Sequence, residues 1–288
     1  MKINTKILLL LNLIILSTCD LPLPVAIFHG FGDACDNPGM QRLTEFFSVN
    51  LYNTYTKCIE TGGSEKDIIT SFHSQAERGC EAIKSDEKFN GNFSVVGLSQ
   101  GSLLARYIIQ KCDMKGKVKN YVSIGGPQMG VAKFPHCSSG IFCRLINGLV
   151  GKAVYYSYIQ ENVGPAGYYK THYDIDTYLK FSSFLADLNN EKNEKNPEYK
   201  KRIMDLDRVL LIKFSKDTMI IPKETAHFEF YDKNDNIVAL KDSDFYNQDY
   251  LGVKKLIEEN KVKFVELEGD HLRFENSDVE KYMIPMLN

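Results

Sequence analysis

The chain has 288 residues, of which 43% are hydrophobic and 25% are charged, as in an ordinary globular protein. Its net charge of -2 does not indicate a nucleic-acid or acidic-membrane partner, and the body of the chain contains no 18-residue apolar run that would predict a membrane span. The length fits one large domain with an insertion.

Residues 1–19 have the pattern of a secretory signal peptide. Lys2 and Lys6 precede an apolar run over residues 7–16, and small residues follow up to Cys19. The run is short for a membrane anchor, and the stretch 16–19 also resembles a bacterial lipobox, so lipidation of Cys19 is an alternative. We expect an exported domain over residues 20–288.

Short apolar, β-branched runs alternate with helical patterns along the rest of the chain. The predicted strands are 25–28, 93–96, 118–124, 209–214 and 262–267. Helical patterns cover 65–89, 102–111 and 275–286. This alternation predicts an α/β fold with a mostly parallel central sheet and helices on both faces.

The sequence GLSQG at 97–101 places Ser99 between a predicted strand and a predicted helix. A serine on such a sharp turn is presented at the edge of the sheet with its hydroxyl exposed, and the flanking glycines leave room for the neighbouring backbone. This is the nucleophile elbow of the α/β-hydrolases. The alternative is an ordinary turn flanked by glycines.

A serine nucleophile needs a histidine base and a carboxylate that orients it, and in this fold class they follow the serine in the order acid, then histidine. His271 follows the last predicted strand, and Asp217 directly follows the strand at 209–214. The remaining histidines fit less well, because they precede the serine, lie in the predicted insertion, or follow a strand end too closely: His29, His73, His136, His172 and His227. We therefore predict the triad Ser99, Asp217 and His271.

Acyl transfer also needs N–H donors directed at the developing oxyanion. The residue after the nucleophile, Gln100, supplies one backbone N–H. The second is expected from the glycine-rich loop after the first strand, where Phe31 is the candidate donor. A plain glycine-rich turn is the alternative for this loop.

Six cysteines remain after removal of the signal peptide, and an even number in an exported chain indicates disulfides. Six cysteines allow about 15 connectivities, of which local pairing is the simplest: Cys35–Cys58, Cys80–Cys112 and Cys137–Cys143. A zinc site is the competing interpretation, although no Cys-x-x-Cys pair is present. Asn92 opens a glycosylation sequon.

Between the strand at 118–124 and the strand at 209–214 the strand pattern is interrupted. Apolar residues from Ile141 to Val154 follow helical spacing, which predicts either a helix packed on the core or a lid helix lining an acyl-chain groove. The charged, Asn-rich stretch 189–202 is predicted to be a solvated loop or helix face. We place the insertion at about 132–205.

Several segments together resemble the palmitoyl-protein thioesterase family, closest to its type 1 branch. They are HGFGDACDNP at 29–38, GLSQG at 97–101, GGPQMGV at 125–131, FLADLNN at 184–190, KDT at 216–218 and EGDHL at 268–272. The resemblance implies a lysosomal α/β-hydrolase that removes long-chain acyl groups from cysteine thioesters in proteins.

The resemblance also implies roles for individual residues. Ser99 corresponds to the nucleophile, Asp217 to the acid, His271 to the base, and Phe31 and Gln100 to the oxyanion donors. The insertion corresponds to the subdomain whose apolar groove takes the acyl chain. Family disulfides map onto Cys80–Cys112 and Cys137–Cys143.

Two departures from the family pattern are visible. Mammalian members have adjacent cysteines where this chain has Cys35 followed by Asp36, so we predict Cys35–Cys58 instead. The glycine pair at 125–126 continues with Pro127-Gln128-Met129 rather than with the mammalian residues, which bears on acyl-length preference.

The leading hypothesis is an exported acyl-protein thioesterase that needs neither metal nor organic cofactor. Its partners would be an S-acylated protein or peptide and the fatty acyl chain, with no nucleic acid and no transmembrane anchor, in the lysosome or outside the cell. The sequence makes no prediction of oligomeric state. The alternatives are a secreted lipase or carboxylesterase and a non-catalytic lipid-binding relative.

Overall fold

Six parallel strands form the centre of the computed structural model, which describes residues 22–63, 69–134 and 151–288. The strand order is β2-β1-β3-β4-β5-β8, and β6 and β7 form a separate antiparallel pair. The strands are β1 (Val25–Phe28), β2 (Thr56–Ile59), β3 (Asn92–Leu98), β4 (Lys117–Ile124), β5 (Arg208–Phe214), β6 (Phe230–Tyr231), β7 (Ile237–Val238) and β8 (Val262–Leu267).

Helices occupy connections between these strands and also follow β8 at the C-terminal end of the fold. They are α1 (Pro38–Asn50), α2 (Phe72–Lys84), α3 (Gly101–Lys111), α4 (Ser157–Asn162), α5 (Ile175–Phe181), α6 (Leu185–Leu188), α7 (Pro197–Met204), α8 (Asp244–Asn247), α9 (Val253–Glu258), α10 (Asn276–Asp278) and α11 (Ile284–Leu287). A π-helical segment, Val279–Met283, joins the last two. No helix of the described residues is long and apolar enough to span a bilayer.

Alternate side chains of the strands pack into two apolar layers. Val25 and Ile27 face α1 and the C-terminal helices, whereas Ala26 and Phe28 face α2 and α3. All four are fully buried. Because both faces of the sheet are covered at its centre, β1 is apolar and buried along its whole length. The predicted α/β architecture is confirmed.

Each predicted strand is present within two residues of its expected limits. The pattern at 65–89 corresponds to α2, which begins where the Ser71 hydroxyl accepts the Ser74 N–H at 3.1 Å. The predicted closing helix is interrupted by the π-helical segment. β2 and α1 were not predicted.

The insertion differs in part from expectation. Residues 141–150 of the predicted helix lie outside the described residues, and Val154 belongs to a short 3₁₀ segment, Gly151–Tyr155. The predicted solvated stretch 189–202 is exposed over residues 193–198 and at Lys201 but buried at two places. Asn189 is fully buried, and Tyr199 in α7 is 9% exposed because it packs in the core.

Candidate active site

Ser99 stands at the carboxyl end of β3, where the chain turns sharply into α3. Its φ of +52° is a left-handed conformation that non-glycine residues rarely adopt. Its N–H donates to the carbonyl of Ile124 at 2.8 Å, which fixes the turn against β4. A Cβ on Gly97 would lie 2.3 Å from the Ser102 Cα, so this close approach requires glycine. The predicted strand–turn–helix context is therefore present.

His271 lies between Ser99 and Asp217. Its Nε2 is 2.9 Å from the Ser99 Oγ, and its Nδ1 is 2.6 Å from the Asp217 Oδ2. The three residues come from the ends of β3, β5 and β8, which meet at one edge of the sheet because the strands are parallel. The structure thus brings together all three predicted triad residues.

The Asp217 carboxylate is held by its own loop. Its other oxygen, Oδ1, accepts the backbone N–H groups of Met219 and Ile220, both at 2.9 Å. The side chain is only 3% exposed, so its contact with His271 is shielded from water. This arrangement leaves Oδ2 directed at the imidazole.

Gly125, directly after β4, makes room for the imidazole. A Cβ at this position would lie 3.2 Å from the His271 Cε1 and 3.1 Å from the Phe214 ring. Its φ of +62° also favours glycine. The first glycine of the pair therefore has a steric reason in its close approach to the His271 ring, in addition to its place in the family pattern.

The two expected oxyanion donors flank the serine. Gln100 immediately precedes α3, where the first backbone N–H groups of a helix lack intrahelical acceptors. The loop that carries Phe31 runs beside the serine, since a Cβ on Gly30 would lie 3.5 Å from the Ser99 Cβ. Both residues are placed where donors to the substrate carbonyl are expected, and their roles remain proposals.

A family model for palmitoyl protein thioesterase matches residues 24–271, which include Ser99, Asp217 and His271. The chain belongs to the palmitoyl protein thioesterase family.

Relatives over most of the chain share the family name. Palmitoyl-protein thioesterase 1 of Caenorhabditis elegans is 34% identical over 88% of this chain and 88% of its own length. Palmitoyl-protein thioesterase 3 of Dictyostelium discoideum is 32% identical over 92% and 90%. A solved monoacylglycerol lipase of Paleococcus ferrophilus overlaps 93% of this chain and 96% of its own, with a TM-score of 0.46 and 13% identity.

Two of the three expected disulfides are formed in this member of the family. Cys35 is bonded to Cys58 and Cys80 to Cys112. Cys137 and Cys143 lie outside the described residues, so that pairing stays a prediction. Asn92 is exposed at the first position of β3, and its glycosylation also stays a prediction.

The other described histidines contact different groups. His29 lies 3.2 Å from Glu60, His73 3.6 Å from Glu77, and His172 2.8 Å from Asp235. The His227 ring lies 3.2 Å from the carbonyl oxygens of Leu211 and Val265. His136 lies outside the described residues. Chain order therefore selected the histidine that contacts the serine.

Sequence reasoning missed a carboxylate beside the base. Asp270 Oδ1 accepts the His271 N–H at 2.8 Å and the Thr218 N–H and hydroxyl, both at 2.9 Å. These hydrogen bonds lower the pKa of Asp270. Asp270 therefore contacts the backbone of His271, whereas the imidazole contacts Asp217. The signal in the sequence was the aspartate directly before His271, in GDH at 269–271.

Proposed function

We propose that this protein hydrolyses the thioester bond between a long-chain fatty acyl group, such as palmitoyl, and a cysteine of a protein or peptide. The observation that carries the proposal is the position of the His271 ring, 2.9 Å from the Ser99 Oγ and 2.6 Å from Asp217, within a chain of this family. An intact serine–histidine–aspartate arrangement favours an active enzyme over a non-catalytic lipid-binding relative.

In the first step, the Ser99 Oγ attacks the thioester carbonyl carbon while His271 Nε2 takes the hydroxyl proton. Asp217 accepts the Nδ1–H and stabilises the imidazolium that forms. The negative charge develops on the carbonyl oxygen, where the N–H groups of Phe31 and Gln100 would receive it. The C–S bond then breaks, and the cysteine sulfur leaves with the proton from His271.

The second step releases the fatty acid. Water attacks the acyl-serine carbonyl and gives its proton to His271, which returns a proton to the Ser99 Oγ as the acyl–oxygen bond breaks. The products are a free cysteine and a fatty acid, and the enzyme is restored. These residues account for every proton that moves.

We further propose that the insertion at about 132–205 supplies the groove for the acyl chain. Its described part packs on α2 through buried rings, with Phe72 5.0 Å from Tyr168 and 4.7 Å from Phe184 between ring centroids, and so lies on the same face of the sheet as α3. Photocrosslinking with a diazirine fatty acid should label peptides of this region. Labelling confined to the opposite face of the sheet would contradict the assignment.

Export and lysosomal residence belong to the same proposal. The two disulfides suit an oxidising compartment, and residues 1–19 have the pattern of a cleaved signal peptide. A C-terminally tagged protein should co-localise with a lysosomal marker and begin near residue 20 on N-terminal sequencing. Cytosolic staining with an intact N-terminus would contradict it.

Substrate comparison tests the reaction class. The wild-type enzyme should cleave a palmitoyl-cysteine peptide with a higher kcat/KM than a short-chain ester or a triglyceride. The opposite order would favour a secreted lipase or carboxylesterase. Ser99→Ala should abolish turnover, and a fluorophosphonate should label Ser99 in the wild type. Label on another residue, or undiminished turnover in the variant, would refute the nucleophile.

A further inference from the structure

Glu60 follows the edge strand β2 and reaches the loop after β1. One carboxylate oxygen, Oε2, accepts the Cys35 N–H at 3.0 Å. The other, Oε1, lies 3.2 Å from the His29 Nε2 and accepts the Gly62 N–H at 3.0 Å. A single side chain therefore contacts both ends of the segment 29–35.

The His29 ring connects the Glu60 carboxylate to the backbone of the loop. This side chain is fully buried, and its Nδ1–H donates to the carbonyl oxygen of Gly30 at 2.9 Å. Gly30 also accepts the Asp33 N–H at 3.3 Å, which closes a tight turn around Phe31. The proposed oxyanion donor Phe31 thus stands inside a turn whose two ends are joined through Glu60.

Electrostatics and covalent structure support the same arrangement. Burial alone would raise the pKa of Glu60, but the Cys35 and Gly62 N–H groups and the nearby His29 lower it, so the carboxylate is ionised. The Cys35–Cys58 disulfide joins the end of the loop to β2. Since the Cys35 sulfur is bonded to Cys58, it is no thiolate for a metal site with His29 and Glu60.

We propose that Glu60 is a positioning residue that holds the Phe31 loop in the geometry required to bind the oxyanion. This inference rests on the proposed serine-hydrolase function and adds to it a residue outside the triad. Glu60 acts through His29 and Cys35 and needs no contact with the substrate. Its effect should therefore fall on the transition state and leave ground-state binding unchanged.

Glu60→Gln is the test variant, because an amide cannot accept hydrogen bonds at both of its terminal atoms. We expect kcat to fall about 10- to 100-fold with little change in KM, given that one oxyanion donor is worth about 100- to 1000-fold. Glu60→Asp should recover part of the loss. Glu87→Gln, at an exposed carboxylate before β3, is the matched control and should behave like the wild type.

Two ligands separate positioning from simple destabilisation. A palmitoyl trifluoromethyl ketone accepts the Ser99 Oγ at its carbonyl carbon and becomes an oxyanion, whereas a palmityl thioether peptide binds without reacting. Glu60→Gln should raise the Kd of the ketone by the same factor by which it lowers kcat, and it should leave the Kd of the thioether unchanged. Dissociation constants are compared on the folded protein, with thermal unfolding measured in parallel.

The outcomes distinguish this inference from the proposed function. Kinetics are measured on whichever thioester or ester the wild type hydrolyses fastest. If that substrate is a lipid ester, the proposed substrate is wrong, but the comparison of Glu60→Gln with the wild type still tests the role of Glu60. Equal loss of ketone and thioether binding, or unchanged kcat in Glu60→Gln, would overturn the positioning role. An inactive wild type would overturn both.

Discussion

Asp270 accepts hydrogen bonds from both the backbone N–H and the hydroxyl of Thr218, at 2.9 Å each. Thr218 follows the proposed acid Asp217, and Asp270 precedes the proposed base His271, so one carboxylate joins the two loops that carry these residues. The imidazole can therefore be aligned with Asp217 and Ser99 before substrate binds.

Asp270→Asn should lower kcat by about 10- to 100-fold, because small displacements of catalytic groups have effects of this size. Glu268→Gln is the control, since its contact with Lys216 joins the same loops at 2.7 Å but is largely exposed. Steady-state kinetics on both variants would decide. Equal losses of kcat in the two variants would show that the contact made by Asp270 has no special role in aligning the imidazole.

Gly97→Ala should prevent folding or destabilise the protein by at least about 3 kcal/mol, because the new Cβ would meet backbone atoms of the following helix. Gly39→Ala is the matched control, since nothing lies within 4 Å of a Cβ there and it sits in α1. That variant should be neutral or more stable by about 0.5 kcal/mol. Urea denaturation measures both, and a stable Gly97→Ala would contradict the tight elbow.

Arg106→Met should lower the free energy of unfolding by about 2–4 kcal/mol. The guanidinium is 1% exposed and donates to the Leu188 carbonyl at 3.1 Å and to both oxygens of Gln128, at 3.1 and 3.2 Å. Burial lowers its pKa to about 10, which leaves it charged at neutral pH. Methionine fills the space but removes the guanidinium donors from both Gln128 oxygens and leaves the Leu188 carbonyl with the Gln110 amide as its donor.

The control for this change is Arg42→Met at an exposed position of α1, expected to stay within about 0.5 kcal/mol of the wild type. Chemical denaturation gives both values. A similar small loss for Arg106→Met would mean that water replaces the guanidinium.

His227 should make stability depend on pH. Burial, with a smaller effect of Lys213, lowers its pKa to about 4, whereas an unfolded histidine titrates near about 6.5. Between these values the unfolded state binds more protons, so stability falls as pH decreases through this window. The loss in the free energy of unfolding from this one histidine approaches about 3 kcal/mol at pH 4.

His227→Gln should therefore lose less stability than the wild type when the pH is lowered from 7 to 4.5, as measured by denaturant unfolding at both values. His73→Gln, at a half-exposed residue of α2, should retain the wild-type pH dependence. If His227→Gln and the wild type lose the same amount, another group controls the acid sensitivity.

The central strands and the contact of Ser99, His271 and Asp217 could be predicted from the sequence for physical reasons. β5 contains the uninterrupted apolar run 209–212, because both faces of the sheet are covered there. β2 escaped prediction because its sequence, TKCI, belongs to a partly exposed edge strand and lacks that signal. The fixed order of serine, acid and base selected Asp217 and His271 from many candidates.

The supporting residues depend on contacts between distant parts of the chain. Glu60 meets His29 and Cys35 only because β2 pairs with β1, a register that local patterns do not specify. Asn189 appears in a polar run, yet tertiary packing buries it beside Met129. Sequence therefore identified the three residues that meet at the sheet edge better than the residues that hold them in place.

The Leu188 carbonyl accepts hydrogen bonds from Arg106 and Gln110, which lie one turn apart on the helix that begins beside Ser99. The inserted region is thus hydrogen-bonded to α3, the helix that directly follows the turn at Ser99. If this region were exchanged between thioesterases, the buried guanidinium of Arg106 and the amide of Gln110 would lose their shared acceptor unless both residues were exchanged with it. Grafting experiments on the insertion that we propose to bind the acyl chain should therefore include Arg106 and Gln110.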